Sequence, residues 1–407
     1  MLVTNDMMHD ARVARHARTL GIAGYETIVV CEQSRRTAPS EDRGVYSIVR
    51  ISSKAAEYAR LLDNVLARSQ PTDRFQEQSR LISRRKNLNW ACRLALRILA
   101  IVFLQTALLK AARMNRAHIY CANDLDTLLL AVLAAGKDCK TIYDSHELWP
   151  DMLVGVPPFL KRMIRSYEKL LIARADVVVT VNEFIAQELS NRYNVRSPVN
   201  VIYNSVPSPT RVRRKPPTKP NMGAKVALYH GWYSPERGLE NLVTASEFLS
   251  PDVFLVLRGA GELEAELKRL ASGRRNVRFE RPVSQAEVVN AASRADVGIV
   301  PYLPTNLCNY YASPNKLFEY LAAGLPIAAS NLPFMRKVVL ENDIGTLFDA
   351  RDLRSIAEAL NKITRPSKLD HYSRNIALAR KKYNWSVESE KLLKIYAELL
   401  GNRVPIG

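Results

Sequence analysis

A chain of 407 residues is too long for one ordinary domain, and a prior of roughly 100 to 200 residues per domain points to two. With 47% hydrophobic and 24% charged residues it can bury a sizeable core, which excludes wholesale disorder. The 59 Lys and Arg against 40 Asp and Glu leave a formal charge of +19, which favours anionic partners such as phosphorylated substrates or phospholipid headgroups. No nucleic-acid-binding motif accompanies the basic residues, so nucleic acid is not an expected partner.

The first residues lack the charged start and apolar run of a signal peptide and lead directly into strand-like sequence at 2–4, so the chain is expected to stay in the cytoplasm. Asp10 and Arg12 then open a helix that gives way to Gly21 and Gly24, and strands are expected at 27–31 and 45–51. Residues 78–123 hold nine Lys or Arg and no acid. Within them, residues 94–109 form the most apolar run, but sixteen residues with Arg97 inside fall short of the roughly 20 that span a bilayer. Two readings stay open for that run: a core helix of the first domain, or a helix lying in a membrane surface with its arginines at the headgroups. Peripheral contact with an anionic membrane is the corresponding partner expectation.

Further strands are expected at 118–121, 141–143, 177–181 and 199–203. Residues 207–222 contain five prolines and five basic residues without an acid or an apolar period, and read as a linker. The alternation restarts at 226–229, 254–257, 277–279, 297–300 and 327–329. Short apolar runs separated by helix-length amphipathic stretches predict an α/β protein with parallel sheets. The expected organisation is a first Rossmann-like domain over 1–206, a second over 223–385, and a C-terminal helix over 386–407 returning to the first. Ligands of open α/β sheets bind beyond the carboxyl ends of the strands, so two such domains are expected to face each other across a binding cleft. The five cysteines, Cys31, Cys92, Cys121, Cys139 and Cys308, are scattered without a C-x-x-C pair, and predict neither a disulfide framework nor a zinc site.

The most informative segment is 310–328, YYASPNKLFEYLAAGLPIA. It reads as a loop, a helix capped by Ser313 with Pro314 in its first position, and a buried strand. The unpaired N–H groups of Asn315 and Lys316, with the positive end of the helix dipole, suit a diphosphate. Glu319, one helical turn on, faces the same side and suits a sugar diol. The bland alternative is an ordinary Ser-Pro helix start and a Gly-x-Pro stop.

This segment resembles the donor motif of glycosyltransferase family 4, retaining enzymes of the GT-B fold, in a branch that carries S-P-N-K-x-x-E-Y. The resemblance implies that Glu319 holds the ribose hydroxyls of a nucleotide-sugar donor. Where the family pattern places another glutamate eight positions earlier, this chain has Tyr311.

In a second segment, LYHGWYSPERGLENL at 228–242, the family carries G-R and then K-G; here Gly231 is followed by Trp232, and Arg237 precedes Gly238. Arg237 offers a planar fork of donors for phosphate oxygens, and Arg258 is a further candidate. In a third, KTIYDSHELWPD at 140–151, His146 matches the histidine that the family sets beside donor sugar and acceptor. Asp10 and Arg12 are acceptor-side candidates on the same resemblance.

What the resemblance implies is retaining transfer of a sugar from a nucleotide-diphosphate sugar to a glycan or lipid-linked acceptor, in cell-surface polysaccharide or glycolipid biosynthesis. No cofactor and no essential metal are expected, because Asp124-Leu125-Asp126 opens a helix in the half away from the donor. The alternatives are a degenerate subunit that only binds sugar nucleotide, or a nucleotide-sugar epimerase or hydrolase on the same fold.

Overall fold

The computed structural model describes residues 1–8, 10–52, 99–153, 155–208 and 223–401. Residues 78–98 of the basic block and 209–222 of the expected linker lie outside them. The chain divides into two units, Met1–Asp144 with Leu171–Val177 and Leu399–Gly407, and Ser145–Leu170 with Val178–Glu398.

In the first unit, β1 (Ile28–Glu32) pairs in parallel with β3 (Ser47–Ile51), and β2 (Ser40–Asp42) lies antiparallel on β3. The short polar β2 carries no alternation that sequence reading could catch. The expected strand at 2–4 is reduced to isolated bridges from Leu2 to Val30 and Ala122. It still joins β1 to β4 (Ile119–Asn123), since the Leu2 N–H donates to Cys121 O at 2.8 Å and the Val3 N–H to Val30 O at 3.1 Å. Strand β5 (Lys140–Ser145) then pairs in parallel with β4.

The helix Ala11–Ile22 buries Val13, Ala17 and Leu20, its apolar positions at helical spacing, against this sheet's core. Residues 99–114 are helical, and residues 94–98 of the apolar run lie outside the described residues. Ala100, Leu104, Leu108 and Ala111 form a buried stripe, while Leu99, Ile101, Val102 and Phe103 are exposed. Among the described residues no helix is long and apolar enough to cross a membrane.

The second unit contains β6 (Val177–Thr180) paired with β7 (Asn200–Val201), and a six-stranded sheet. That sheet comprises β8 (Lys225–Trp232), β9 (Val253–Ala260), β10 (Val277–Glu280), β11 (Val297–Val300), β12 (Ile327–Ser330) and β13 (Gly345–Phe348). Its strand order is β10-β9-β8-β11-β12-β13, all parallel. This is the doubly wound Rossmann arrangement, with the order reversing between β8 and β11. Strands β11 and β12 are buried at every position, as strands covered by helices on both faces are. The closing strand β13 was not among the sequence expectations, because its GTLF holds only two large apolar residues and makes no aliphatic run.

One tyrosine ties the motif helix Asn315–Ala323 to this sheet. The Tyr320 hydroxyl donates to Leu228 O and accepts from the His230 N–H, both at 3.0 Å, stitching the helix to the end of β8. Gly298 makes room for it, since a Cβ there would fall 2.3 Å from the ring. Tyr320→Phe leaves a buried donor and acceptor unpaired and is expected to lower stability by about 1–3 kcal/mol, read by chemical denaturation.

The helix Trp385–Leu399 packs on the segment before the expected linker. Glu388 accepts from the Tyr203 N–H at 2.9 Å, and Lys391 lies over the Tyr203 ring at 5.1 Å.

Candidate active site

The reversal of strand order opens the carboxyl ends of β8 and β11, and most of the candidate donor residues of the second unit gather there. Gly231 sits at the end of β8 with φ +133°, and a Cβ on it would lie 3.4 Å from Lys316 Cε and 3.5 Å from Lys316 Nζ. The positive φ is what selects glycine here, since a Cβ would make only ordinary van der Waals contact with the Lys316 stem that runs past the strand end.

Lys316 is buried, with 8% of its surface exposed. Its ammonium lies 4.9 Å from the Tyr229 ring centroid and 5.0 Å from that of Tyr302. Among the described residues no carboxylate pairs with it. Burial alone would lower its pKa; the Tyr229 and Tyr302 oxygens, together with Glu319, outweigh burial and the opposing Arg237 charge, and the pKa is raised. The ammonium stays charged.

Arg237 shares the same aromatic surface, its guanidinium carbon 4.2 Å from the Tyr302 centroid. It donates to Asn309 Oδ1 at 3.1 Å, while Asn309 Nδ2 donates to Glu236 at 2.6 Å and to Thr305 at 2.9 Å. Asn309 is thus the clamp that orients Arg237. The turn that presents Arg237 needs Gly238, at φ +65°, where a Cβ would fall 2.2 Å from Pro301 O. Two cations gathered at one tyrosine make a site for an anion.

The sequence expectation for the helix start is corrected by one residue. Pro314 is extended at φ −67° and ψ 135° and is itself the cap residue, so the helix begins at Asn315 and no side chain caps it. The Ser313 hydroxyl is buried without a partner and does not cap. The reason is positional: with Pro314 extended in the cap position, Ser313 stands one residue before the cap and not at it. The N–H groups of the first turn consequently remain unclaimed by any side-chain cap, next to Lys316.

Glu319 is buried one turn further. Its Oε2 meets His230 Nε2 at 2.6 Å and its Oε1 accepts from Gln285 Nε2 at 3.1 Å. Burial pushes this carboxyl up, but the His230 hydrogen bond and charge, Gln285 and Lys316 prevail, so its pKa lies below the ordinary value. Each carboxylate oxygen retains a second lone pair for a hydroxyl pair. Arg258 is engaged by Glu280, Nε to Oε2 at 2.8 Å, with its NH1 buried and unpaired.

His146 is half-buried on the loop after β5. The loop is fixed on both sides: Thr180 Oγ1 donates to Ser145 O at 2.7 Å, and Cys308 Sγ donates to Glu147 Oε2 at 3.1 Å. Burial and the Glu147 carboxylate push the Cys308 thiol well above its ordinary range, so it stays protonated as the donor. Tyr311, the departure from the family glutamate, stacks on Phe184 with ring centroids 6.0 Å apart, and its carbonyl accepts from Asn182 at 2.8 Å. An aromatic packing contact occupies the place of that glutamate. Trp232, the other departure, is 66% exposed at the end of β8.

In the first unit, Asp10 caps its helix by accepting from the Val13 N–H at 3.0 Å. Arg12 is buried and forks onto Asp144, Nε to Oδ2 at 3.0 Å and NH2 to Oδ1 at 2.7 Å. Its donors therefore anchor the end of β5. Sequence reading missed His230, Tyr229, Tyr302 and Gln285; the first two lie inside or beside the quoted LYHG run, but nothing in the spacing ties Tyr302 or Gln285 to the motif helix.

The model of Glycosyltransferase Family 4 matches residues 11–208, and that of Glycosyl transferases group 1 matches residues 211–380. The two stand in tandem and take in most of the chain. The chain belongs to the GT-B glycosyltransferases. Sucrose-phosphate synthase from Thermosynechococcus elongatus has the same fold, with a TM-score of 0.70 at 16% identity over 96% of this chain and 92% of that one. So does a glycosyltransferase from Rickettsia africae ESF-5, with a TM-score of 0.66 at 13% identity over 98% of both chains.

Among curated relatives, a phosphatidyl-myo-inositol mannosyltransferase of Mycobacterium leprae (strain TN) is 31% identical over 46% of this chain and 50% of its own. A putative teichuronic acid biosynthesis glycosyltransferase, TuaH of Bacillus subtilis (strain 168), is 25% identical over 49% of this chain and 52% of its own length. The chain thus spans about half the length of the curated relatives it matches.

Proposed function

We propose that this glycosyltransferase transfers a sugar, with retention, from a nucleotide-diphosphate sugar to a glycan or lipid-linked acceptor in cell-surface polysaccharide or glycolipid biosynthesis. The observation that carries the reading is Lys316: a buried, charged ammonium with no carboxylate partner among the described residues, beside Arg237 and an uncapped helix start. The site keeps this ammonium charged before any ligand is present and gives it no ion-pair partner among the described residues, so an anion arriving with the substrate would meet a charge already in place. The relatives agree in kind, being enzymes named for mannosyl transfer to phosphatidyl-myo-inositol and for teichuronic acid synthesis. A solved structure of the same fold, HepE of Anabaena, holds UDP and glucose.

In the proposed reaction the bond from the anomeric carbon to the diphosphate oxygen breaks and one to the acceptor oxygen forms on the same face. The acceptor proton passes to the departing phosphate. Negative charge grows on that phosphate, and Lys316, Arg237 and the first-turn N–H groups are already in place to meet it. Glu319 holds the ribose, and His146 hydrogen-bonds the donor sugar. We propose that these two fixed cations offset the diphosphate charge without an essential metal.

A panel of UDP-, GDP-, ADP- and TDP-sugars should raise the melting temperature with one base only, by an amount equivalent to about 2.7 kcal/mol at a hundredfold excess over Kd. Transfer to a membrane extract is expected to persist in EDTA. No shift with any of the four, in folded protein, overturns the donor-site reading, and a shift without transfer favours the degenerate sugar-nucleotide-binding subunit; loss in EDTA with recovery on adding magnesium or manganese overturns the metal-free reading.

A further inference from the structure

The helix Pro158–Ile172, PFLKRMIRSYEKLLI, turns its apolar side outward. Phe159 is 63% exposed, Met163 61% and Leu170 71%. At 100° per residue these three positions fall within about 40° of one another, so they form one stripe along the helix. A globular helix of this amphipathicity normally hides such a stripe, and what is hidden here is the other side, where Glu168, Leu171 and Ile172 are buried. Burial also removes the helix's single acid, for Glu168 accepts from the Tyr193 hydroxyl at 2.6 Å.

The charges left outside are therefore of one sign. Arg162 and Lys169, seven residues apart, run alongside the stripe at roughly 90° to it, and neither has an ion-pair partner among the described residues. Arg165 is held by Asp151 at 2.7 Å. In the first unit, the helix spanning 99–114 independently exposes Leu99, Ile101, Val102 and Phe103, within a stretch of sequence that has no acid. An apolar stripe with unpaired cations along one flank matches the two layers of an anionic lipid surface, acyl chains for the one and headgroups for the other. A protein partner would need a complementary apolar groove with acidic walls. The net charge of +19 makes a second copy of this chain a poor occupant.

We infer that the helix Pro158–Ile172 is a membrane-docking element that lies in the interface of an anionic bilayer, with Phe159, Met163 and Leu170 in the acyl boundary and Arg162 and Lys169 at the headgroups. This deepens the proposal of a membrane-bound acceptor and rests on it for its purpose, whereas docking itself is measured without donor or acceptor. It adds to the contact expected at the basic, acid-free block a helix that sequence reading did not single out.

The test is co-sedimentation of the full chain with vesicles of phosphatidylcholine alone and of phosphatidylcholine with phosphatidylglycerol, at low and high salt. Binding is expected only to the anionic vesicles and is weakened by salt. It should fall about tenfold or more in Phe159→Ser/Met163→Ser/Leu170→Ser and in Arg162→Glu/Lys169→Glu, with the nucleotide-sugar thermal shift unchanged in both. The charge variant guards against misfolding of the apolar one. Equal binding by both variants overturns the inference, as does a wild-type dimer that the triple variant converts to monomer. Failure of the donor panel with vesicle binding intact would instead count against the proposed reaction alone.

Discussion

Replacing Lys316 with methionine is expected to lower kcat/KM by roughly 10²–10³-fold without lowering stability. Methionine fills the same channel past Gly231 and keeps the contact with Tyr229 and Tyr302, but removes the buried charge. Lys316 has no ion-pair partner among the described residues, so exchanging it for an apolar side chain of similar volume is expected to be near neutral for stability. The two readouts therefore separate: a melting temperature near that of wild type, with the nucleotide-sugar shift and the transfer rate lost. A large fall in melting temperature with transfer retained would show that the ammonium serves packing and not the diphosphate. Arg237→Met should act in the same direction and less strongly, since that guanidinium is half-exposed and partly held by Asn309.

Removing Glu319 should act on fold and ligand together. Glu319→Ala leaves His230 Nε2 and the Gln285 amide without their buried acceptor and opens a cavity beneath the end of β8, for an expected loss of about 2–4 kcal/mol. Glu319→Gln keeps the volume and one acceptor, and is expected to recover most of that stability while donor affinity stays about 10–100-fold reduced, because hydrogen bonds to a charged acceptor are lost. Titration calorimetry on the two variants separates the effects; wild-type affinity in Glu319→Gln would remove the carboxylate from the donor site.

The same carboxyl predicts a pH dependence. Its native pKa is lowered, so the unfolded chain binds the proton more tightly, and stability falls as pH falls. The Glu319 contribution is complete above its ordinary value of 4.5 and is lost as the pH drops from there through the lowered native value. In Glu319→Gln this acid-side loss should be smaller, as followed by denaturation at a series of pH values.

How much of this was legible in the sequence depends on the range over which each signal acts. Aliphatic runs such as Val297–Val300 and Ile327–Ser330 announce buried parallel strands because covering both faces leaves no polar alternation. The motif 310–328 announced a helix with Lys316 and Glu319 one turn apart, because helical spacing is local. Gly231 and Gly238 were legible for the same reason: backbone that must take a positive φ selects glycine. The family followed from several such segments in the right order.

Tertiary structure alone decided which side chains use those positions. Pro314 and not Ser313 became the cap residue, because Pro314 is extended and Ser313 stands one residue before the cap. Tyr302, from the end of β11, became the surface that Arg237 and Lys316 share, and Gln285 and His230 became the partners of Glu319. Arg12 found Asp144, 132 residues away. These pairings join residues far apart along the chain, and no local period encodes them. They are fixed only when parallel strands align their ends and burial forces every polar group left there to find a partner.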